Sequence, residues 1–373
     1  LDTIVEEAES RGLSLKDRLD AQGLMWCIHS PGEKRPENWT NRDWTAFLDY
    51  RKGVGVVDVG EEGDEEEEEE ATTATYDLAS LADELLFGEK HLQRIADLLD
   101  HKKQVIFMGP PGTGKTFVAR KLARVLAGSP ERVMLVQFHP SYAYEDFMEG
   151  YRPTLIENRQ PGFKIVEGPL RQIARKAAAE PEQTFVLIID EINRGNLAKI
   201  FGELYYLLEY RKDEVRLQYS DEFFSLPENL RIIGTMNTAD RSIALVDVAL
   251  RRRFHFFHFF PDEPPVQGLL HRWLERHSPG FSWLAGVLDR ANMKLDERNL
   301  AIGPSHFMDK DRLGADWIEM IWQHSVLPFL EEHFYGEPDR LREFDLKKLQ
   351  EEAMSQTESI AANATTTVEG QEV

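Results

Sequence analysis

The chain has 373 residues, 42% of them hydrophobic, and a formal net charge of −22, enough material for one large or two medium domains with cores of their own. So acidic a balance argues against a protein that grips phosphate backbones over its whole surface; DNA, if handled, is expected to be reached through a local basic pore, a missing domain or a partner, of which composition favours the partner. No run approaches the roughly 18 apolar residues that span a bilayer and no basic-then-apolar leader opens the chain, so a cytoplasmic location without membrane contact is expected.

The single cysteine, Cys27, excludes an internal disulfide and a multi-thiolate metal cluster, and reads as a small buried hydrophobe. A chain that opens on Leu1 instead of Met is expected to be a piece of something longer. Residues 1–57 read as a small N-terminal piece of unknown function, whose Trp26, Trp39, Trp44, Phe47 and Tyr50 suffice for a miniature core. Residues 58–75 read as an acidic disordered linker: Glu61 to Glu70 holds nine acids in ten residues, and these repel one another.

Regular patterning begins at Tyr76. Leu78, Leu81, Ala82 and Leu85 share one helical face, and Leu92, Ile95, Ala96 and Leu99 the next. Short apolar runs then alternate with helical segments: Val105 to Met108, Val133 to Phe138, Phe185 to Ile189, Leu230 to Thr235 and Phe254 to Phe260. Continuous apolar runs between helices predict a parallel sheet covered on both faces, an α/β nucleotide-binding domain over 76–261. From Asp262 the pattern is helical, with Leu269 to Arg276, Trp283 to Leu295 and Trp317 to Phe334, which predicts a separate all-α lid over 262–345. The remainder, 346–373, is expected to be a disordered tail.

Gly109, Pro110, Pro111, Gly112, Thr113, Gly114, Lys115 and Thr116 fit G-x-x-x-x-G-K-[ST] between the first strand and a helix that starts near Phe117. In that context the loop's amides cradle phosphates, and the helix adds its positive end. Lys115 would neutralise the β- and γ-phosphates, and Thr116 would place its hydroxyl on Mg²⁺. The apolar strand from Phe185 ends in two carboxylates, Asp190 and Glu191. Burial explains the strand but not the acids: Asp190 would hold the Mg²⁺ shell and Glu191 would polarise the attacking water. A further strand ends in Asn237, placed to sense the γ-phosphate or the water. Asn237 to Asp240 echoes the guanine-reading N-K-x-D pattern, but a strand end faces the phosphates, not the base. Arg251, Arg252 and Arg253 cannot all face inward. In a ring their edge would meet the neighbouring site as trans arginine fingers.

With these pieces placed, the stretch from about Leu78 to Phe334 resembles the McrB family, the AAA+ motor subunits of modified-cytosine restriction systems. The words that carry the likeness are QFHPSYAYEDFMEG from Gln137 to Gly150, DEINR from Asp190 to Arg194, MNTADRS from Met236 to Ser242 and ALRRRF from Ala249 to Phe254. Phe163 to Leu170 and Val215 to Leu226 look like that clade's two β-hairpin insertions, which face the pore. The resemblance implies a hexameric ring that hydrolyses GTP and is activated by a McrC-type nuclease subunit docked through the pore. It implies that Asn193 and Arg194 respond to that partner, that Asp240 and Arg241 form an interface signature, and that Arg252 and Arg253, with Arg251 beside them, are the fingers. Ile302 to Phe307 resembles the second sensor; its usual arginine is not evident, and Ser305 and His306 stand in its place.

Two features depart from the family pattern. A DNA-reading module is not recognisable in 1–57, and no Pro-Asp followed by Glu-x-Lys marks a nuclease, Pro261 to Pro265 reading as a linker into the lid. Cleavage would come from a partner. Two alternatives stay open beside the GTP-driven restriction or antiviral motor. One is an ATP-dependent remodelling chaperone of the related MoxR type, since no residue is an unambiguous guanine reader. The other is a nucleotide-gated scaffold with little turnover, against which Lys115, Glu191 and Asn237 argue.

Overall fold

The computed structural model describes residues 77–156, 160–240 and 248–355. Helix α1 (Leu78–Glu84) starts where the Asp77 carboxylate accepts the Ser80 amide at 2.9 Å, which satisfies one of the helix's orphan donors. Helix α2 (Glu89–Lys102) buries Leu92, Ile95, Ala96 and Leu99, spaced to share one face. It ends at Lys103, whose φ of 67° turns the chain into β1 (Gln104–Gly109).

The chain then passes through α3 (Lys115–Ala127), β2 (Val133–Gln137), α4 (Tyr144–Phe147) and a hairpin of β3 (Glu149–Ile156) with β4 (Gln160–Glu167). After α5 (Pro169–Ala179) come β5 (Phe185–Asp190), α6 (Leu197–Phe201), α7 (Leu204–Leu207) and a short hairpin of β6 (Val215–Arg216) with β7 (Phe223–Phe224). Strand β8 (Leu230–Asn237), α8 (Val248–Arg253) and β9 (His255–His258) complete the domain. Five strands form one parallel sheet in the order β2-β5-β8-β1-β9. Strand β1 therefore lies inside the sheet with its successor β2 at the far edge, and the crevice at its carboxyl end is where open α/β sheets bind ligands.

Side-chain alternation sorts the sheet into two layers. Val105, Phe107, Val186, Ile188 and Ile233 pack with α1, α2 and α3. Ile106, Leu187, Ile189 and Ile232 pack on the opposite face with α5, α6 and α7. Both faces being covered, the strands read as the unbroken apolar runs that predicted them.

The lid consists of α9 (Leu269–His277), α10 (Trp283–Leu295), α11 (Ala315–Ile321), a π-helical turn Trp322–Val326, α12 (Leu327–His333) and α13 (Pro338–Leu341), around a core of Leu274, Leu288, Phe307, Trp322 and Leu330. The chain departs from the sequence reading at its end. A helix at 346–355 follows the expected lid boundary, because Leu349 and Phe344 are buried in that core and the Trp322 indole donates to Phe344 O at 2.9 Å. The first hairpin insertion also differs: it spans Glu149–Glu167, not Phe163 to Leu170, and Gly168 to Leu170 start α5. Pro153 and Pro161 disguise it as loop, although an isolated two-stranded ribbon tolerates proline on its open sides. The expectations for residues 1–57 with Cys27, for 58–75, for Arg241 and for the end of the tail fall outside the described residues.

Candidate nucleotide site

Helix α3 begins at Lys115, directly after a loop in which Gly112 and Gly114 have φ of +73° and +80°. A side chain rarely tolerates that region, so the two glycines let the loop curl and aim its amides, with the unpaired first amides of α3, at one point. Lys115 is held inside this curl, donating to Pro110 O at 2.7 Å and lying 3.3 Å from Thr113 Oγ1. Burial pulls its pKa down to about 8, against the pull of Glu191, Asp190 and Asp240. Thr113 in turn donates to Pro110 O at 2.9 Å.

Strand β5 brings its acids to the same end of the sheet. Thr116 Oγ1 donates to Asp190 Oδ1 at 2.7 Å, and Thr235 Oγ1 on β8 donates to the same oxygen. A threonine hydroxyl beside a carboxylate is a set of hard oxygen donors suited to Mg²⁺, with phosphates and water filling the remaining positions. Glu191 takes a left-handed backbone, φ 52° and ψ 43°, with its amide donating to Thr235 Oγ1 at 3.2 Å. Its Oε2 is buried without a hydrogen-bond partner, the nearest cation being Arg194 Nε at 3.5 Å. Burial raises its pKa, the nearby Asp190 and Asp240 add to this, and Arg194 opposes it. A carboxylate kept basic and short of donors is suited to accept a proton from water.

Asn237 lies beside Gly109 in the register of β8 and β1, and its Oδ1 accepts the Ala239 amide at 3.1 Å. Asn193 Nδ2 donates to Asn237 O at 3.1 Å, while Asn193 Oδ1 is buried without a partner. Arg194 bridges Glu191 and Asp240, its Nη2 lying 3.2 Å from Asp240 Oδ2. The structure thus gathers Gly109 to Thr116, Asp190, Glu191, Asn193, Arg194, Asn237 and Asp240 at one end of the sheet.

The lid closes on the P-loop. Ser305 N donates to Gly112 O at 2.9 Å, and a Cβ at Gly112 would come within 2.7 Å of the His306 ring. Burial lowers the His306 pKa, so the ring that meets the loop is neutral at ordinary pH. A cavity of about 340 Å³ opens between lid and P-loop, walled by Leu86, Phe87, Phe117, Trp273 and Met308 and reaching Thr113 and Gly114. Phe117, 52% exposed, turns its ring to this side. The cavity has the size and apolar lining suited to a purine.

The arginines lie elsewhere. His255 pairs with Val105 near the start of β1, so α8 ends at the opposite end of the strands from Gly109. Five residue steps of about 3.3 Å separate Gln104 from Gly109, roughly 16 Å, beyond the reach of an arginine side chain back to its own P-loop. Arg252 is 70% exposed and Arg253 is 17% exposed; both pair with the Glu209 carboxylate, Arg253 at 3.4 Å. Arg251 lies over the Phe256 ring at 5.8 Å and Arg253 over that of Tyr205 at 5.3 Å. Arg252 and Arg253 line a pocket of about 570 Å³ with Lys102, Lys103, Arg211 and Lys212, cations that outnumber the acids Glu209, Asp213 and Glu228 in its wall.

Family models match both parts of this architecture: an AAA domain of the dynein-related subfamily over residues 104–254, and the McrB alpha-helical lid domain over 284–342. Over 299 residues the chain is 39% identical to the type IV methyl-directed restriction enzyme EcoKMcrB subunit of Escherichia coli K12, covering 74% of this chain. The chain belongs to the McrB family of AAA+ proteins. It is also 30% identical, over 47% of its length, to the type II restriction enzyme BsuMI component YdiS of Bacillus subtilis 168. It spans 64% and 63% of the lengths of these two relatives. It is therefore a McrB-like nucleotide-binding protein of the AAA+ nucleoside triphosphatase class, related to components of restriction systems. No helix among the described residues is long and apolar enough to cross a membrane.

Several groups in this McrB-family chain escaped sequence reasoning. Thr235 looks like one more strand residue, yet its hydroxyl holds the Asp190 carboxylate and accepts the Glu191 amide that follows β5. Trp273 and Leu86, far apart in sequence, meet as walls of the cavity. Glu209, Gln104 and Arg211 surround the arginines, and no local pattern marks them.

Proposed function

We propose that this protein hydrolyses a nucleoside triphosphate, GTP in its biological setting, within a hexameric ring, and that turnover drives a McrC-type nuclease subunit in a cytoplasmic restriction or antiviral defence complex. One observation carries the reading. P-loop, Asp190 and Glu191 converge at the carboxyl ends of the strands while Arg252 and Arg253 stand at the amino ends, so a complete site needs two subunits. DNA is reached through the partner or a further domain. The McrB-type lid and the restriction relatives favour this over a MoxR-type chaperone.

The triphosphate lies along the P-loop amides with its purine in the cavity beside Trp273. Thr116 and Asp190 would hold Mg²⁺, which would supply charge neutralisation to the phosphates when bound. Lys115 leaves Pro110 O for the phosphate oxygens. Glu191 orients a water and accepts its proton as the water oxygen bonds to the γ-phosphorus and the bond to the bridging oxygen breaks. Asn237 faces the γ-phosphate and the water, and the neighbour's Arg252 and Arg253 take up charge developing on the transferred group. Arg194, bound to both Glu191 and Asp240, is placed to release Glu191 when a partner draws it away.

Turnover of GTP and of ATP, each with and without the nuclease subunit, tests the proposal. Slow basal GTP hydrolysis that the partner accelerates is the expected result. Absence of magnesium-dependent binding of any purine triphosphate sinks it.

A further inference from the structure

A polar network is buried where β1 begins, remote from the reacting atoms. Gln104 is 1% exposed; its Nε2 donates to Leu208 O at 2.7 Å and to Arg253 O at 2.8 Å, and its Oε1 accepts from Arg211 Nη2 at 2.9 Å. Arg211, 8% exposed, donates through Nη1 to Leu230 O at 2.7 Å and Pro227 O at 3.0 Å. Its Nε is buried without a partner among the described residues, and no carboxylate is within ion-pair distance of the guanidinium there. A cation buried among neutral acceptors costs stability that an apolar pair of the same shape would not. Its position offers a reason. Gln104 grips the carbonyl of one arginine, and Lys102 Nζ donates to the carbonyl of the other, Arg252 O, at 2.7 Å.

The arginine turn needs such an anchor. The arginines close α8 where the chain leaves it for β9, and an exposed ion pair such as Arg252 with Glu209 is a weak constraint on them. Stabilising a transferring phosphoryl group, by contrast, is sensitive to displacements of about 1 Å. We propose that Gln104 and Arg211 are positioning residues for the neighbouring subunit's active site: by clamping the Arg253 carbonyl to the first residue of β1, they set the reach of the arginine fingers. The inference rests on the finger role of Arg252 and Arg253 proposed above.

The test uses the full chain with Gln104→Met and Arg211→Met combined, so that neither side chain is left buried without the other and only the main-chain carbonyls they held lose a donor. Binding of a fluorescent GTP analogue and ring assembly should match the parent, while kcat falls roughly tenfold or more at unchanged KM. Mixing with Glu191→Gln subunits, which keep their fingers but lack the carboxylate for water, should restore turnover. A merely structural defect would not be rescued in this way. Parent-like kcat in the double variant, or a loss that mixing fails to rescue, overturns the inference. Arg252→Ala with Arg253→Ala is the control. If that pair hydrolyses normally, the finger reading itself fails; if it is inactive while the clamp variant is normal, only the present inference falls. Should the double variant not fold, Gln104→Met alone, which releases the Arg253 carbonyl, replaces it. The same rescuable loss, about threefold or more, is then expected, and an unchanged kcat refutes the clamp.

Discussion

Thr116 and Asp190, seventy-four positions apart in sequence, share a 2.7 Å hydrogen bond across the mouth of the P-loop. Thr235 donates to the same carboxylate oxygen from β8. Replacing Asp190 by Asn should weaken magnesium-dependent GTP binding by about tenfold to a hundredfold, while binding measured in excess chelator changes little. Titration of magnesium at fixed nucleotide reads the difference. Equal losses with and without metal would remove Asp190 from the metal shell.

Glu191 is expected to matter for turnover and not for binding. In Glu191→Gln, single-turnover hydrolysis should fall by about two to four orders of magnitude at parent-like affinity. Because burial raises the carboxyl's pKa, the acid limb of the rate profile should lie above the ordinary carboxylate range. Activity present at neutral pH is lost as pH falls through that raised value. A limb at the pKa of an exposed glutamate would contradict the assignment.

Gly303 touches the P-loop so closely that a Cβ there would sit 2.0 Å from Gly112 C and O. Backbone cannot yield as a side-chain tip does. Gly303→Ala should therefore push the lid off the loop and cost about 1–3 kcal/mol of stability, together with a loss of nucleotide affinity. Thermal melting with and without GTP checks both, and a parent-like stabilisation by ligand would show that the lid contact is dispensable.

Lys115 makes the nucleotide-free protein sensitive to alkaline pH. Its folded pKa of about 8 lies below the unfolded lysine value, so above that pH the unfolded chain holds the proton more firmly. Stability from this group is lowest below the folded pKa and rises between about 8 and 10.4. Denaturant unfolding across that window should show the rise, and Lys115→Met should flatten it. An identical pH slope in the variant would mean the ammonium is not buried as described.

The division between what was legible in sequence and what was not follows from the range of the interactions. The P-loop, the acids ending β5 and the five strands were visible because each is a local requirement: glycines where φ is positive, a lysine at a helix start, apolar runs where both faces of a sheet are covered. The hairpin at Glu149–Glu167 and the helix at 346–355 carry no local pattern because their stability comes from contacts at a distance, such as Glu149 accepting the Ser220 amide at 2.8 Å and Leu349 entering the lid core. Residue types alone named Arg251, Arg252 and Arg253. Only the parallel pairing of β1 with β9 sets them at the end of the strands remote from Gly109, because strand register fixes distances along a sheet that composition does not contain. The same folding brought Gln104 and Arg211 beneath them, polar groups whose spacing carries no pattern and whose partners are main-chain carbonyls that every sequence possesses.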